Sequence, residues 1–154
     1  FRNVDDCTAI GRRLSTLARA PGKRSVVIVG GGLAGIEALG EILRRYRNRE
    51  GLGITVVEAG ASLVPGLTAR LDAAVRARCE GHDVRILTRS AVTAVTRTRV
   101  RLRSGATVRS DLTLWTVGAT APALLNASGL ADKPRQCGAA IDHDVRRIGA
   151  ERLC

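Results

Sequence analysis

Apolar side chains recur along this chain in two rhythms, and the rhythms mark its elements. Between residues 5 and 20, Cys7, Ile10, Leu14, Leu17 and Ala18 fall at helical spacing, Asn3 or Asp5 can cap the start, and Pro21-Gly22 stops the run. A lead-in helix is expected there. Ser25 to Val29 is a short β-branched run flowing into Gly30-Gly31-Gly32, after which Leu33, Ile36, Leu39, Leu43 and Tyr46 mark one face of a second helix. That helix ends among Arg44, Arg45, Arg47 and Arg49 before Gly51, and cations suit a helix C-terminus. Ile54 to Glu58 reads as a second buried strand, Leu67 to Glu80 as a third helix ended by Gly81, and Val84 to Leu87 as a third strand. A strand, glycine turn, helix and strand in this order predict a right-handed unit with parallel strands.

The rhythm then shortens. Ala91 to Thr96, Arg99 to Arg103 and Ala106 to Arg109 alternate polar and apolar residues, and the turn dipeptide Ser104-Gly105 joins the last two. They read as an antiparallel meander. Leu112 to Val117 is apolar enough to return to the parallel sheet, and Gly118-Ala119-Thr120-Ala121-Pro122 breaks it; from Asn126 onward the chain reads as loop. The expected fold class is α/β: a Rossmann-like βαβ parallel sheet with an inserted three-stranded antiparallel meander, a three-layer ββα arrangement.

Composition narrows the functions this frame can carry. At 154 residues, 45% hydrophobic and 25% charged, the chain suits one folded domain with a core. Its most apolar stretch, Val26 to Ala38, is interrupted by glycines and Glu37, well short of the roughly 20 apolar residues a membrane span needs. No basic leader with an apolar stretch and cleavage site is visible. Methionine is absent and the chain opens on Phe1, so it reads as an internal piece of a longer protein. Cys7, Cys79, Cys137 and Cys154 are far apart, which implies isolated reduced thiols and a cytoplasmic setting, and His82 and His143 stand alone as surface loop residues. No metal-ligand spacing appears.

The net charge is +11, and of 25 basic residues only Lys23 and Lys133 are lysine. Such a balance invites a nucleic-acid reading. Aromatic residues make up only 2%, too few for a base-stacking platform, and Arg97, Arg99, Arg101 and Arg103 alternate around Val100 and Leu102 as the wet face of a half-buried strand would. No nucleic-acid partner is expected.

The chemistry lies in the glycine turn. Gly30-Gly31-Gly32-Leu33-Ala34-Gly35 matches G-x-G-x-x-G between a buried strand and a helix, with a second strand behind. Gly30 permits the tight turn, Gly32 has no side chain to keep the backbone from a pyrophosphate, and Gly35 lets helix and strand pack closely. Unpaired amides at the helix start, helped by the helix dipole, then face the anion. Glu58 closes the second strand roughly 20 residues past the last glycine, where a dinucleotide fold puts an acid on the adenosine ribose. A carboxylate there accepts from ribose hydroxyls and repels a 2′-phosphate, and no arginine lies between Glu58 and Pro65 to receive one. NAD(H) is therefore expected over NADP(H).

VVIVGGGLAGIEALGEI, ITVVEAGASLVPGL and DLTLWTVGATAP, in this order with a meander between the last two, resemble the NAD(P)H-binding domain of the pyridine nucleotide-disulphide oxidoreductase superfamily, and most of all type II NADH dehydrogenases. The resemblance covers roughly residues 1–130. It implies that residues 1–20 are a linker helix, 21–125 the NAD(H)-binding domain, and 126–154 a lead-out toward an FAD-binding domain that this chain does not include. It further implies that Glu37 approaches the nicotinamide side of the pocket and that Gly118 belongs to a turn closing over the dinucleotide. The expected function is to deliver hydride from NADH to that flavin, with the isolated piece inactive and no catalytic residue of its own. Peripheral attachment of the whole protein to the inner face of a membrane is compatible with the resemblance. Two other readings stay open: the FAD-binding half of the same superfamily, which uses the same glycine fingerprint, and a basic nucleic-acid-binding module.

Overall fold

The computed structural model describes residues 4–46, 50–65, 68–118 and 146–147. Helix α1 (Val4–Arg19) leads into strand β1 (Arg24–Val29), helix α2 (Leu33–Tyr46), strand β2 (Leu52–Val57), helix α3 (Ala69–Cys79) and strand β3 (Val84–Leu87). Three short strands follow, β4 (Val92–Val95), β5 (Arg99–Leu102) and β6 (Thr107–Arg109), then β7 (Leu112–Trp115) and a two-residue strand β8 (Arg146–Arg147). One sheet runs β3-β2-β1-β7, all of its pairings parallel. The other runs β6-β5-β4-β8, all antiparallel.

Alternation along β1 explains the layering. Val26 and Ile28 point to one side, where they join Leu39, Ile42 and Leu43 of α2, Leu14 and Leu17 of α1, and Ile54 and Val56 of β2. Val27 and Val29 point to the other, where with Val57 they meet Val92, Val100, Leu102 and Val108 of the antiparallel sheet. A parallel strand covered on both faces must be apolar at every position, and Val26, Val27 and Ile28 are indeed fully buried. Truncating Ile28 to alanine would cost about 2–5 kcal/mol. Among the described residues, the antiparallel sheet is covered on one face only. Val100 and Leu102 go inward, while Arg99 and Arg101 stay in solvent. The expected α/β fold, with its three layers and its wet arginine face, is what the residues build.

Three details depart from the sequence pattern. Cys7 and Leu33 keep helical spacing yet both are exposed, Leu33 by 61%, because each lies near the start of its helix, where the period no longer overlies the sheet. The return strand ends at Trp115, two residues short of the expected Val117, although the Thr116 N–H still donates to the Val29 carbonyl. The tail reads as loop throughout, but Arg146 and Arg147 pair with Val95 and Ala94 at the edge of β4. The other tail expectations, with Cys137, His143 and Cys154, lie outside the described residues.

The two sheets are tied at the base of β1. Asp111 accepts from the Ser25 N–H through Oδ2 at 2.8 Å, its own N–H donates to the Ser25 carbonyl at 2.7 Å, and the Ser25 hydroxyl donates to the Arg109 carbonyl at 2.7 Å. Among the described residues no helix is long and apolar enough to cross a membrane.

Candidate functional site

Four segments converge where the parallel strands end, the place where open α/β sheets bind ligands. They are the glycine turn after β1, Glu58 after β2, Thr88 to Ser90 after β3, and Thr116 after β7. The backbone continues the ladder into this rim. The Gly30 N–H donates to the Val57 carbonyl at 2.8 Å, that of Glu58 to Leu87 at 2.8 Å, and that of Thr116 to Val29 at 2.9 Å.

Each glycine of the motif has a different neighbourhood. Gly30 has φ +106°, in the region that favours glycine, and a β-carbon there would lie 2.7 Å from Thr116 Oγ1 and 2.8 Å from a Val117 methyl. A β-carbon on Gly31 would meet a Leu63 methyl at 2.7 Å. One on Gly35 would collide with the Gly30 carbonyl oxygen and stand 3.0 Å from Thr116 Oγ1. A β-carbon on Gly32 would meet none of the described residues within 4 Å. Three glycines are therefore needed for the packing of the turn itself, whereas the space over Gly32 is open. Leu33 and Ala34, exposed, begin α2 beside it, and its first turn carries no acidic side chain.

Glu58 is half-buried, and both its carboxylate oxygens are engaged. Oε2 accepts from the Gly31 N–H at 2.7 Å and Oε1 from the Gly60 N–H at 2.6 Å, so the acid braces the glycine turn. A carboxylate has about four lone-pair sites, which leaves room for further donors. The Thr116 hydroxyl lies 2.8 Å from the Val29 carbonyl and 3.1 Å from that of Gly30, and holds the turn from the other side. Glu37 is exposed on α2, and Gly118 is exposed with φ +83° just past β7.

A dinucleotide, which the motif implies, fits this rim. The open space over Gly32 adjoins helix-start amides that have no partner within the helix, and no carboxylate in the first turn opposes an anion.

Two residues at the rim escape a reading of the motif. Thr116 is one. Arg89 is the other: it takes a left-handed φ of 52°, its N–H donates to the Gly60 carbonyl at 2.7 Å, and the neighbouring Ser90 N–H donates to the Glu58 carbonyl at 2.9 Å. An exposed arginine thus stands beside the Glu58 loop, although none occurs along the loop itself. Only the strand order brings it there.

A cavity of about 350 Å³ lies at the opposite end of the sheet, lined by Tyr46, Glu50, Leu52, His82 and Asp83 among others. It adjoins the amino ends of β2 and β3, away from the glycine turn, and the convergent backbone and acid of the rim outweigh its volume. Among the described residues no cluster of histidine, cysteine or acid could hold a metal. Cys7 is exposed and Cys79 buried, both as free thiols, and burial pushes the Cys79 thiol upward.

The chain is similar to a type II NADH:quinone oxidoreductase of Haemophilus influenzae, 27% identical over 109 residues that cover 64% of this chain and 24% of that protein. Among solved structures, reduced Bacillus anthracis CoADR-RHD is 26% identical with a TM-score of 0.64, over 84% of this chain and 22% of its own. The ferredoxin reductase for the CYP199A2 system from Rhodopseudomonas palustris shares the fold at 22% identity and a TM-score of 0.66, over 86% of this chain and 32% of its own. NDH2 from Plasmodium falciparum in complex with NADH shares it at 19% identity and 0.65, over 80% and 30%. The chain thus spans about a quarter of the length of the curated relative. The profile of the pyridine nucleotide-disulphide oxidoreductase family matches residues 1–147, and the chain belongs to that family.

Proposed function

We propose that this chain binds NADH and serves as the NADH-binding part of an FAD-dependent oxidoreductase of the type II NADH dehydrogenase kind, with residues 21–125 as the binding domain and the flavin held by a domain outside the chain. One observation carries the reading: the open space over Gly32, framed by the start of α2 and by Glu58, while the neighbouring glycines are packed solid. The named NADH:quinone activity of the Haemophilus relative and the NADH in the Plasmodium structure support the same donor.

When bound, NADH supplies a hydride from its nicotinamide C4. The chain's own residues bind and orient. Amides at the start of α2 take the pyrophosphate, and the lone pairs of Glu58 not given to Gly31 and Gly60 accept from ribose hydroxyls. Glu37 orients the nicotinamide, and the turn at Gly118 closes the site. No proton transfer is assigned to any of them.

Titration with NADH tests the proposal in the wild-type chain and in Gly32→Val. The added side chain enters open space, so the variant should keep its circular dichroism and melting temperature yet lose NADH binding. A folded variant with unchanged affinity overturns the reading.

A further inference from the structure

We propose that Asp72, on α3 and outside the glycine motif, is a positioning residue that fixes the pyrophosphate turn through Leu63 and Val64; this rests on the dinucleotide reading above. Both peptide groups flanking Gly31 are held. Its N–H donates to Glu58 Oε2 at 2.7 Å, and its carbonyl accepts from the Val64 N–H at 2.7 Å. The second of these groups leads directly into Gly32, so the Val64 bond sets how the turn presents itself to an anion.

Val64 makes that bond in a strained conformation. Its φ is 49°, a region β-branched residues avoid and keep only where the surroundings impose it. Two observations identify what imposes it. Leu63 and Val64 are buried, 2% and 3% exposed, in the core beneath the helices. The Leu63 N–H donates to Asp72 Oδ1 at 2.8 Å, while Asp72 Oδ2 takes Arg76 Nε at 2.8 Å, one turn further along α3. Asp72 is thus the polar anchor of Leu63 and of the strained Val64 that follows it, and Val64 is the anchor of the Gly31 carbonyl.

The test uses the whole chain and three variants. Asp72→Ala removes the acceptor and should weaken NADH binding about tenfold, the equivalent of one charge-assisted hydrogen bond. It should also speed amide exchange at Val64 while Val27 and Val56 stay protected. Asp72→Asn keeps an oxygen for Leu63, and Arg76→Ala leaves the acceptor in place, so both should stay near wild type in affinity and exchange. Unchanged exchange at Val64 in Asp72→Ala overturns the proposal, as does wild-type affinity in that variant. An Arg76→Ala variant as impaired as Asp72→Ala overturns it too, because the ion pair would then be what matters. If the wild-type chain fails to bind NADH while Asp72→Ala still frees Val64, the clamp stands and the dinucleotide reading falls.

Discussion

Thr116 donates its hydroxyl proton to the Val29 carbonyl at 2.8 Å, across a sequence separation of 87 residues. The same oxygen lies 3.1 Å from the Gly30 carbonyl and 3.0 Å from where a Gly35 β-carbon would sit. One hydroxyl therefore sits at the meeting point of β1, the glycine turn, α2 and β7, and the tightness that forbids a side chain at Gly35 is partly its doing.

Replacing that hydroxyl by a methyl group of similar volume isolates its role. Thr116→Val should lose about 1–3 kcal/mol of stability, since the Gly30 carbonyl loses its hydroxyl donor and the Val29 carbonyl keeps only the Thr116 N–H. NADH affinity should fall with it, and Thr116→Ser should recover both. Chemical denaturation and nucleotide titration on the three proteins check this, and a valine variant with wild-type stability and affinity contradicts it.

Nucleotide choice should depend on two residues that oppose each other. Glu58 disfavours a 2′-phosphate, whereas Arg89, tied by its backbone to Gly60, offers a cation beside the same loop. The chain should prefer NADH to NADPH, Glu58→Arg should narrow or invert that preference, and Arg89→Ala should widen it by about tenfold, the scale of one charge-assisted contact. Equal affinities in the wild type refute the role of Glu58, and an unchanged ratio in Arg89→Ala refutes that of Arg89.

Acid should act on two aspartates. The Arg76 guanidinium and then the Leu63 N–H hold the Asp72 carboxyl below its ordinary 3.8. Burial pushes Asp111 upward, but the Ser25 N–H and Arg109 together outweigh it and leave this carboxyl low as well. A depressed folded-state value means stability that is fully present above pH 3.8 and lost as pH falls through the lower folded value. Asp72→Asn and Asp111→Asn should each flatten the acid limb of a plot of unfolding free energy against pH, and a limb as steep as wild type in both excludes this origin.

Alone, the chain should bind NADH yet remain colourless and silent. Its sequence holds one G-x-G-x-x-G, and hydride transfer needs an acceptor held about 3–3.5 Å from the donor carbon. The visible spectrum of the purified chain and an assay with ferricyanide or a soluble quinone decide the matter. A yellow protein would favour the FAD-binding reading instead.

The parallel core was legible because its signals are local. The β-branched run in Arg24–Val29, the glycines after it and the helical spacing of Leu39 and Leu43 each lie within a few residues of one another, and the elements fall within about two residues of their expected bounds. What stayed hidden is non-local. The Asp111 bracket on Ser25 spans 86 residues, and Arg89 reaches the Gly60 carbonyl beside Glu58 only through the β2-β3 pairing. The Leu63 bond to Asp72 spans only nine residues, but it helps hold a left-handed valine that no propensity would suggest.

The placement of β1 between β2 and β7 has a consequence for the nascent polypeptide. Ser25 and its neighbours emerge from the ribosome 86 residues ahead of Asp111, a wait of roughly 4–17 s at usual synthesis rates. Until β2 follows, both edges of RSVVIV, uncharged after its first residue and rich in β-branched side chains, are bare, and from then until β7 follows one edge still is. Translation stalled before Leu112 should therefore yield chains that cling to holdase chaperones, and release past Trp115 should free them; equal capture at both lengths would show that the early helices already shield the strand.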